Sequence, residues 1–236
     1  MARRVMVIGS GGREHALVRK LAESPREPVI FAAPGNPGTA RHATNLAVDP
    51  LDAEAVLTAC RQHEIDLALI GPEDPLIAGL GDQLRAQGLA VFGPGALGAR
   101  LEGDKEFAKE VMDTAGIPTA RHHAFSTLEA ALRYLDTAPL PCVVKACGAA
   151  QGKGVAVCDS RPEATDFVRD CLEHHRFGSS GARILVEECL FGPELSVLVV
   201  TDGQDYALLA PSRDHKRVGE GGARSIVLDP MLEKLR

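Results

Sequence analysis

The sequence contains no apolar run long enough to cross a membrane, so no membrane partner is expected. Residues 1–9 hold only a short apolar stretch before a glycine turn, which argues against a signal peptide. No Cys-x-x-Cys pair occurs, and no internal repeat or low-complexity tract is present. The six cysteines lie mostly in apolar segments, at positions 60, 142, 147, 158, 171 and 189. They predict reduced, buried thiols in a cytosolic protein rather than a disulfide or zinc framework.

An excess of positive charge is also absent. The 26 Lys and Arg residues stand against 32 Asp and Glu, a net charge of −6, which argues against a general nucleic-acid surface. A local basic pocket for a phosphate remains compatible with this balance. No Ser/His/Asp arrangement or cysteine-nucleophile motif occurs, and the doublets His122-His123 and His174-His175 point neighbours to different faces. The residues therefore predict no metal site.

The chain of 236 residues is long for one core and fits two compact units. A buried strand at 4–8 leads through Gly9-Ser10-Gly11-Gly12 into a helical pattern from Arg13, a geometry that suits an anion. Glu14 occupies the third glycine position of the dinucleotide fingerprint, and the strand at 29–33 ends without an acidic residue. Both features argue against a hydride-transfer cofactor. A smaller phosphorylated ligand and a plain β-to-α turn both remain open.

Strands and helices alternate through residue 92, which predicts a doubly wound parallel sheet. The strands are expected at 4–8, 29–33, 66–70 and 90–92, and the later helices at 52–63 and 76–87. Ligands of such sheets bind beyond the carboxyl ends of the strands. Arg13, Asn36 and Glu73 follow three of these ends and can converge there. A lone Glu after Gly-Pro is otherwise most often a helix-capping charge.

The pattern changes after Glu102, where we place a domain boundary. A helix at 104–115 carries Lys105 and Lys109, and Ser126-x-x-Glu129 and Ser160-x-x-Glu163 are capping-box patterns that open two later helices. Strands are predicted at 123–125, 183–188, 194–200 and 206–210, in addition to a hairpin at 142–158. This half is α+β and mostly antiparallel.

The hairpin carries glycines at 148, 152 and 154 and lysines at 145 and 153. It is not a Walker loop, because only three residues separate its glycines, Gly154 follows Lys153, and a strand rather than a helix comes next. A flap over a polyphosphate and an ordinary glycine-rich hairpin both fit these residues.

Two further stretches carry polar groups. The crossover Glu187-Glu188-Cys189-Leu190 can offer backbone groups to an adenine edge, and Glu194 can bind ribose hydroxyls, although paired glutamates at a strand end are usually a solvated edge. Asp214-His215-Lys216-Arg217 is a dense charge cluster, for which a solvated turn is the alternative.

Taken together, these stretches resemble the glycinamide ribonucleotide synthetase (phosphoribosylamine–glycine ligase) family of ATP-grasp enzymes in purine biosynthesis. The matching residues are 7–17, 33–40, 71–73, 107–109, 116–120, 152–155 and 214–218. The resemblance implies an α/β fold: an N-terminal doubly wound, pre-ATP-grasp domain (1–102) and an α+β ATP-grasp portion (103–236), incomplete at its C-terminus, with a flap subdomain at about 118–190. It also implies ATP-dependent ligation of glycine to 5-phosphoribosylamine through a glycyl phosphate, in a monomer or weak homodimer.

The resemblance assigns roles to individual residues. ATP phosphates would be held by Lys105, Lys145 and Lys153 under a flap containing Gly148, Gly152 and Gly154. Adenine would contact Glu187, Glu188, Cys189 and Leu190, and the ribose would contact Glu194. Phosphoribosylamine would be bound by Gly11, Gly12, Arg13, Asn36, Gly38 and Glu73. Asp214 would lie near the glycine and act with Lys145 and Lys153 in catalysis.

The sequence departs from the family pattern in several places. Family members continue after the last motif into Pro-Asn-Thr-Gly-Gly-Met-Gly, whereas here Gly219-Glu220-Gly221-Gly222 passes into Ala223. The magnesium ligands are expected in the missing C-terminal part. Cys147 stands where a polar residue such as Asp is usual, and Gln151 where Ala is usual. Two alternatives follow: a non-catalytic nucleotide-binding or scaffold paralogue, or a different ATP-grasp carboxylate–amine ligase, against which Asp214-His215-Lys216-Arg217 argues.

We expect the 236-residue chain to bind phosphorylated ligands weakly and to turn over little, because a phosphoryl-transfer site without metal ligands leaves phosphate charge uncompensated. The purified chain is assayed with ATP, glycine and phosphoribosylamine for glycinamide ribonucleotide. Measurable product that depends on both ATP and glycine would refute this expectation.

Overall fold

A computed structural model describes residues 2–150, 153–214, 217–218 and 224–225. The chain divides after Glu188 into two compact units. Among the described residues, no helix combines the length and the apolar composition needed to cross a membrane. Five of the six cysteines are buried, as predicted, and Cys189 is half-buried.

A five-stranded sheet organises the N-terminal part of the first unit, all of whose residues from 2 to 103 are described. Its strands are β1 (Arg4–Gly9), β2 (Val29–Pro34), β3 (Thr44–Asn45), β4 (Leu67–Ile70) and β5 (Ala90–Phe92). Every pairing is parallel, in the order β3-β2-β1-β4-β5. The predicted doubly wound sheet is confirmed. The order in which strands are added reverses between β1 and β4, and because all strands run in the same direction, the loops after β1, β2 and β4 lie at one edge.

Helices cover both faces of this sheet: α1 (Gly12–Ala22), α2 (Ala53–Gln62), α3 (Glu73–Ile77), α4 (Leu80–Ala86) and α5 (Ala96–Gly103). Alternate side chains of β1 enter different cores, Met6 and Ile8 on one face and Val5 and Val7 on the other. The single helix predicted at 76–87 is wrong. It is split into α3 and α4 because Gly79 adopts a left-handed conformation, with φ of +85°. Helix α5 was not predicted.

The rest of the first unit is an antiparallel sheet with flanking helices, as predicted. Its elements are α6 (Lys105–Thr114), β6 (His122–Phe125), α7 (Leu128–Leu135), β7 (Cys142–Ala146), β8 (Val155–Cys158), α8 (Arg161–Leu172) and β9 (Ile184–Glu188). The strand order is β6-β9-β7-β8. The capping box at Ser160 and Glu163 is confirmed. The one at Ser126 is wrong, since Thr127 is the N-cap and its side chain makes no capping bond.

The alternation of side chains along β7 determines the direction in which Lys145 points. On β7, Cys142, Val144 and Ala146 are buried, and the first two pack with helices α7 and α8. Val143 and Lys145 therefore project from the opposite face. Glu187 on β9 is in register with Val143, so its side chain lies on that same face, diagonal to Lys145.

The described part of the second unit consists of short paired strands: β10 (Glu194–Ser196), β11 (Val199–Thr201), β12 (Tyr206–Leu208), β13 (Ser212–Asp214), β14 (Arg217–Val218) and β15 (Arg224–Ser225). The pairs β10–β13, β11–β12 and β14–β15 are antiparallel. The single strand predicted at 194–200 is wrong, because its two halves pair with different partners. The strand predicted at 206–210 ends at Leu208.

Candidate functional site

Three loops meet at the carboxyl edge of the parallel sheet. The Asn36 amide Nδ2 donates to Ser10 O at 2.9 Å and to Gly11 O at 3.1 Å, which joins the β2 loop to the β1 loop. Arg13 Nη1 donates to Gly71 O at 2.5 Å, and Arg13 Nη2 lies 3.9 Å from Glu73 Oε2, which joins the β4 loop to helix α1. The structure thus brings Arg13, Asn36 and Glu73 together at one edge.

Asn36 organises this edge through its own side chain. Its Oδ1 accepts from the N–H groups of Gly38 at 2.7 Å and Thr39 at 3.0 Å, in addition to the two bonds that Nδ2 donates. An asparagine amide has two donor hydrogens and two acceptor lone pairs, so this arrangement uses all four. Asn36 therefore shapes the loop and presents its neighbours, and its amide hydrogens are not available to a ligand.

A buried carboxylate, Glu14, lies beneath the same edge. Glu14 is only 3% exposed, and its Oε2 accepts from the Gly11 N–H at 2.6 Å. The Gly11 N–H therefore already has an anionic partner, at the end of α1 where the helix dipole favours negative charge. A Cβ added at Gly71 or Gly9 would overlap the Glu14 side chain. The glycines of this edge are thus required by the volume of Glu14.

The second group of predicted residues lies on the open face of the antiparallel sheet. Lys145 Nζ donates to Glu187 Oε2 at 2.9 Å. Lys105, in the first turn of α6, donates from Nζ to Gly148 O at 3.0 Å. Burial lowers the pKa of Lys105, and the neighbouring Lys145 ammonium lowers it further against opposing effects of Cys147, Glu102 and Asp104. Two of the three lysines predicted to hold phosphates, Lys105 and Lys145, are thus electrostatic neighbours beside the flap.

Backbone bonds hold the root of the flap, residues 147–149, from two directions. The Lys105 N–H donates to Cys147 O at 2.9 Å, and the Cys147 N–H donates to Arg183 O at 2.9 Å. The Gly148 N–H donates to Ser180 O at 3.0 Å, and the Ser180 hydroxyl donates to Ala149 O at 2.7 Å. The flap strand is therefore fixed relative to α6 before the glycine loop begins.

Ion pairs reinforce this root. Arg183 Nη2 lies 3.1 Å from Asp104 Oδ2, Arg183 also pairs with Glu106, and Arg100 Nη2 lies 3.2 Å from Asp104 Oδ2. Burial raises the pKa of Asp104, but hydrogen bonds from the Phe107 N–H, Arg183 and Arg100 outweigh it and lower the pKa overall. Asp104 thereby fixes the first turn of α6, which carries Lys105.

The unusual cysteine of the flap faces inward. Cys147 is 1% exposed, and burial raises the pKa of its thiol to about 11. It is a packing residue rather than a ligand contact. Lys153 is exposed, and Gly154 is buried, with its carbonyl accepting from the Ala146 N–H at 2.8 Å. Gly152 and Gln151, and the segment Gly219-Glu220-Gly221-Gly222, lie outside the described residues.

The crossover residues differ in environment. Glu187 is 5% exposed, so its side chain is internal. The Glu188 carboxylate accepts from the Arg121 backbone N–H at 2.9 Å and from Arg121 Nε at 2.8 Å, and these bonds lower its pKa. In the second unit Cys189 is half-buried and Leu190 exposed. There Glu194 and Asp214, predicted as ribose and glycine contacts, are directly paired positions on β10 and β13. His215 and Lys216 of the charge cluster are outside the described residues.

Sequence reasoning missed two buried charged residues. Lys109 is 7% exposed, and its Nζ lies 3.4 Å from Glu187 Oε2. The i, i+4 spacing of Lys105 and Lys109, which places both on one helix face, was the signal for it. Glu14 follows Gly11 at the spacing of a capping box, which was the signal for the second.

Within the part of the chain that the structure describes, no group of three or more His, Cys, Asp or Glu could hold a metal ion.

Comparison with known proteins gives these two sites a context. Residues 3–102 match the family model described as phosphoribosylglycinamide synthetase, N domain, and residues 103–226 match its ATP-grasp (A) domain. The chain belongs to the phosphoribosylglycinamide synthetase family. The lysines and flap lie in the stretch matched to the ATP-grasp domain, and the Arg13–Asn36–Glu73 edge in that matched to the N domain.

Individual relatives agree with this family. The chain is 44% identical over 223 residues to a phosphoribosylamine–glycine ligase of Rhodopirellula baltica, covering 92% of this chain and 51% of that protein. It is 47% identical over 224 residues to a trifunctional purine biosynthetic protein of Gallus gallus, covering 94% of this chain and 22% of that protein. The chain thus spans about half the length of the single-function ligases that it matches.

Solved structures give the same fold. A phosphoribosylamine–glycine ligase of Thermotoga maritima superposes with a TM-score of 0.78 at 32% identity, covering 94% of this chain and 52% of that one. An N5-carboxyaminoimidazole ribonucleotide synthetase of Thermus thermophilus superposes with a TM-score of 0.68 at 20% identity, covering 92% and 55%. The second likeness shows the ATP-grasp fold alone.

The contact between Gly71 and Glu14 predicts a strong coupling. Gly71→Ala places a methyl group against the buried carboxylate and is expected to lower the free energy of unfolding by about 1–3 kcal/mol. In a Glu14→Ala background the same substitution has room and should cost much less. Urea unfolding of the two single variants and the double variant measures the coupling. Strictly additive costs would contradict the proposed packing.

Proposed function

We propose that this chain forms the nucleotide-binding and phosphoribosylamine-binding parts of an ATP-dependent phosphoribosylamine–glycine ligase. The reaction joins glycine to 5-phosphoribosylamine through glycyl phosphate and gives glycinamide ribonucleotide. The observation that carries the proposal is the Lys105 ammonium group bonded to Gly148 O at 3.0 Å in the flap root, with Lys145 near enough to lower the pKa of Lys105, in residues that match the family's ATP-grasp domain. Membership of the family and the names of its relatives support the choice of substrates.

In this proposal Lys105, Lys145 and Lys153 neutralise the ATP phosphates, and the backbone of Gly148, Gly152 and Gly154 lets the flap approach them closely. The backbone of residues 187–190 contacts adenine, and Glu194 contacts the ribose. Two features support the phosphate roles. Lys145 is 29% exposed, so it reaches the surface of the sheet while its Glu187 partner fixes it. Lys105 is bonded to the flap root itself.

Phosphoribosylamine is proposed to bind at the carboxyl edge of the parallel sheet, near Gly11, Gly12, Arg13, Gly38 and Glu73. Arg13 is the cation of this edge, and the N-terminus of α1 adds favourable dipole charge for a phosphate. Asn36 contributes by holding the loops, and Glu14 by fixing Gly11. Asp214 is proposed to contact glycine. Its position opposite Glu194 in the β10–β13 pairing is compatible with neighbouring substrate contacts.

The chemistry requires charge neutralisation and exclusion of water. The glycine carboxylate attacks the γ-phosphorus of ATP and displaces ADP. The amine of phosphoribosylamine then attacks the carbonyl carbon of the glycyl phosphate, loses a proton and displaces phosphate. Lysines positioned before the reaction stabilise charge that develops on the phosphoryl group, and a closed flap keeps water from the acyl phosphate. Magnesium, when bound, would neutralise part of the charge on the ATP phosphates. Since the described residues contain no candidate cluster, we assign its ligation to none of them.

We also propose that the N-terminal domain ends at residue 102, that the flap subdomain spans about 118–190, and that the protein is a monomer or weak homodimer. The limits of the two family matches, 3–102 and 103–226, support the first of these boundaries.

The nucleotide site is tested by titration calorimetry of the purified chain with ATP. Each of Lys105→Met and Lys145→Met removes one cation from the proposed phosphate contacts and is expected to weaken ATP binding by about 10- to 100-fold, the usual effect of a lost hydrogen bond to a charged group. Lys20→Met is the matched control, because Lys20 is 83% exposed on α1 and pairs only with Glu23 among the described contacts. It should bind ATP like the wild type.

Wild-type chain that binds no ATP would overturn the proposal, as would ATP binding unaffected by both site substitutions. Glycine is then added to the ATP complex in separate titrations with alanine and serine as comparison. Preference for glycine supports the ligase assignment. Equal response to all three, or to none, favours a nucleotide-binding protein without this reaction.

A further inference from the structure

Lys109 lies behind the candidate nucleotide site rather than in it. Its ammonium group is buried, donating to Thr119 Oγ1 at 2.7 Å and to Ala120 O at 3.2 Å, and it lies 3.4 Å from Glu187 Oε2. A buried lysine is costly unless it is hydrogen-bonded and paired. Thr119 and Ala120 satisfy its donors, and Glu187 supplies the opposite charge.

Glu187 is therefore shared between two cations. Lys109 and Lys145 both approach the same oxygen, Oε2, at 3.4 and 2.9 Å, and the Glu187 side chain is 4% exposed. Its other oxygen, Oε1, is buried without a hydrogen-bond partner among the described residues. Of the three side chains only Lys145 is substantially accessible, at 29%. Lys109, Glu187 and Lys145 form a triad, and Lys145 is the member of it that is exposed to the site.

The net charge of the triad determines how strongly it attracts an anionic ligand. Two lysines and one carboxylate sum to a net charge of +1. Without Lys109, a buried carboxylate 2.9 Å from Lys145 would leave a neutral pair, and the attraction of Lys145 for a polyphosphate would be largely cancelled. Other charges face the triad as well. The positive charge of Lys145 acts on Lys105. The charge of Lys109 also lowers the pKa of Glu188, whose carboxylate is already paired with Arg121.

We propose that Lys109 is a positioning residue for nucleotide binding: it holds Glu187 and offsets its charge, so that Lys145 stays both oriented and electropositive toward the ligand phosphates. This rests on the proposed function, because it needs a polyphosphate at Lys145. A purely structural role for Lys109 predicts something different. It would alter stability and weaken every ligand of the site by a similar factor, whatever the charge of that ligand.

The experiment compares ATP with adenosine, which has the same base and sugar but no phosphate. Lys109→Met is expected to weaken ATP binding about tenfold by titration calorimetry, with adenosine affinity changed less than about twofold. The double variant Lys109→Met/Glu187→Gln removes the uncompensated anion as well and should restore ATP affinity to within about threefold of the wild type. Lys20→Met again serves as the control for loss of a lysine.

A second variant keeps the test decisive if Lys109→Met fails to fold. Glu187→Gln alone preserves shape and backbone, and leaves two cations without the anion. Its ratio of ATP affinity to adenosine affinity is expected to exceed that of the wild type. A ratio no higher than the wild-type value would overturn the proposal, as would equal loss of ATP and adenosine affinity in folded Lys109→Met or failure of the double variant to recover.

Failure of the proposed function and failure of the role of Lys109 give different results. Wild-type chain that binds ATP no better than adenosine removes the basis of the proposed function and of this inference together. Wild-type chain that prefers ATP, with Lys109→Met showing the same preference, removes the inference alone.

Discussion

The structure depends on one constraint, the high free energy of a buried charge without a partner. Each half of the first unit contains a buried carboxylate, Glu14 or Glu187, at the end of the sheet where a ligand is proposed. Removing one partner from such a group costs several kcal/mol, so the surrounding loops are held where they satisfy it. Glu14 fixes Gly11 through a backbone N–H, and Glu187 fixes Lys145 through its ammonium group.

The same constraint explains why the flap has a fixed base. Asp104 is the N-cap of α6 and also the ion-pair partner of Arg100 and Arg183, and the backbone of Arg183 bonds to Cys147. Helix, sheet and flap root are thereby one connected network. Lys105 at the start of α6 and Lys145 on β7 are then held at a fixed distance and orientation relative to each other. A pre-organised phosphate site requires such fixed positions.

The sequence predicted the parts of the fold that follow from local pattern. Alternating strands and helices indicated the parallel sheet, and the strand–glycine–strand pattern indicated the flap hairpin. Helix α5 was missed because its glycines lower helix propensity. One of them, Gly103, lies so close to the Ile77 side chain that a larger residue would overlap it. The break at Gly79 was missed because the apolar pattern continues through it. Local pattern does not reveal where tertiary packing needs a glycine.

Some residues of the candidate site could be predicted from local pattern, and others depend on tertiary contacts. The phosphate role of Lys105 was implied only by the family resemblance. Lys145 followed from its place before the glycine loop, and Arg13 and Glu73 followed from their places after strand ends. The burial of Glu187 did not, because a glutamate pair at a strand end looks solvated until Lys109 reaches it from a helix 78 positions earlier. Asn36 stays predicted to lie beside a ligand. The four hydrogen bonds by which its side chain joins two loops could not be predicted, because they depend on tertiary geometry.

Lys105 and Lys145 are proposed to form a polyphosphate site under the flap. A crystal structure of this chain grown with ADP would show whether they do. We expect diphosphate oxygens within about 3 Å of both Nζ atoms, the distance of a charge-assisted hydrogen bond. Diphosphate bound instead at the Arg13 edge, or away from both lysines, would contradict it.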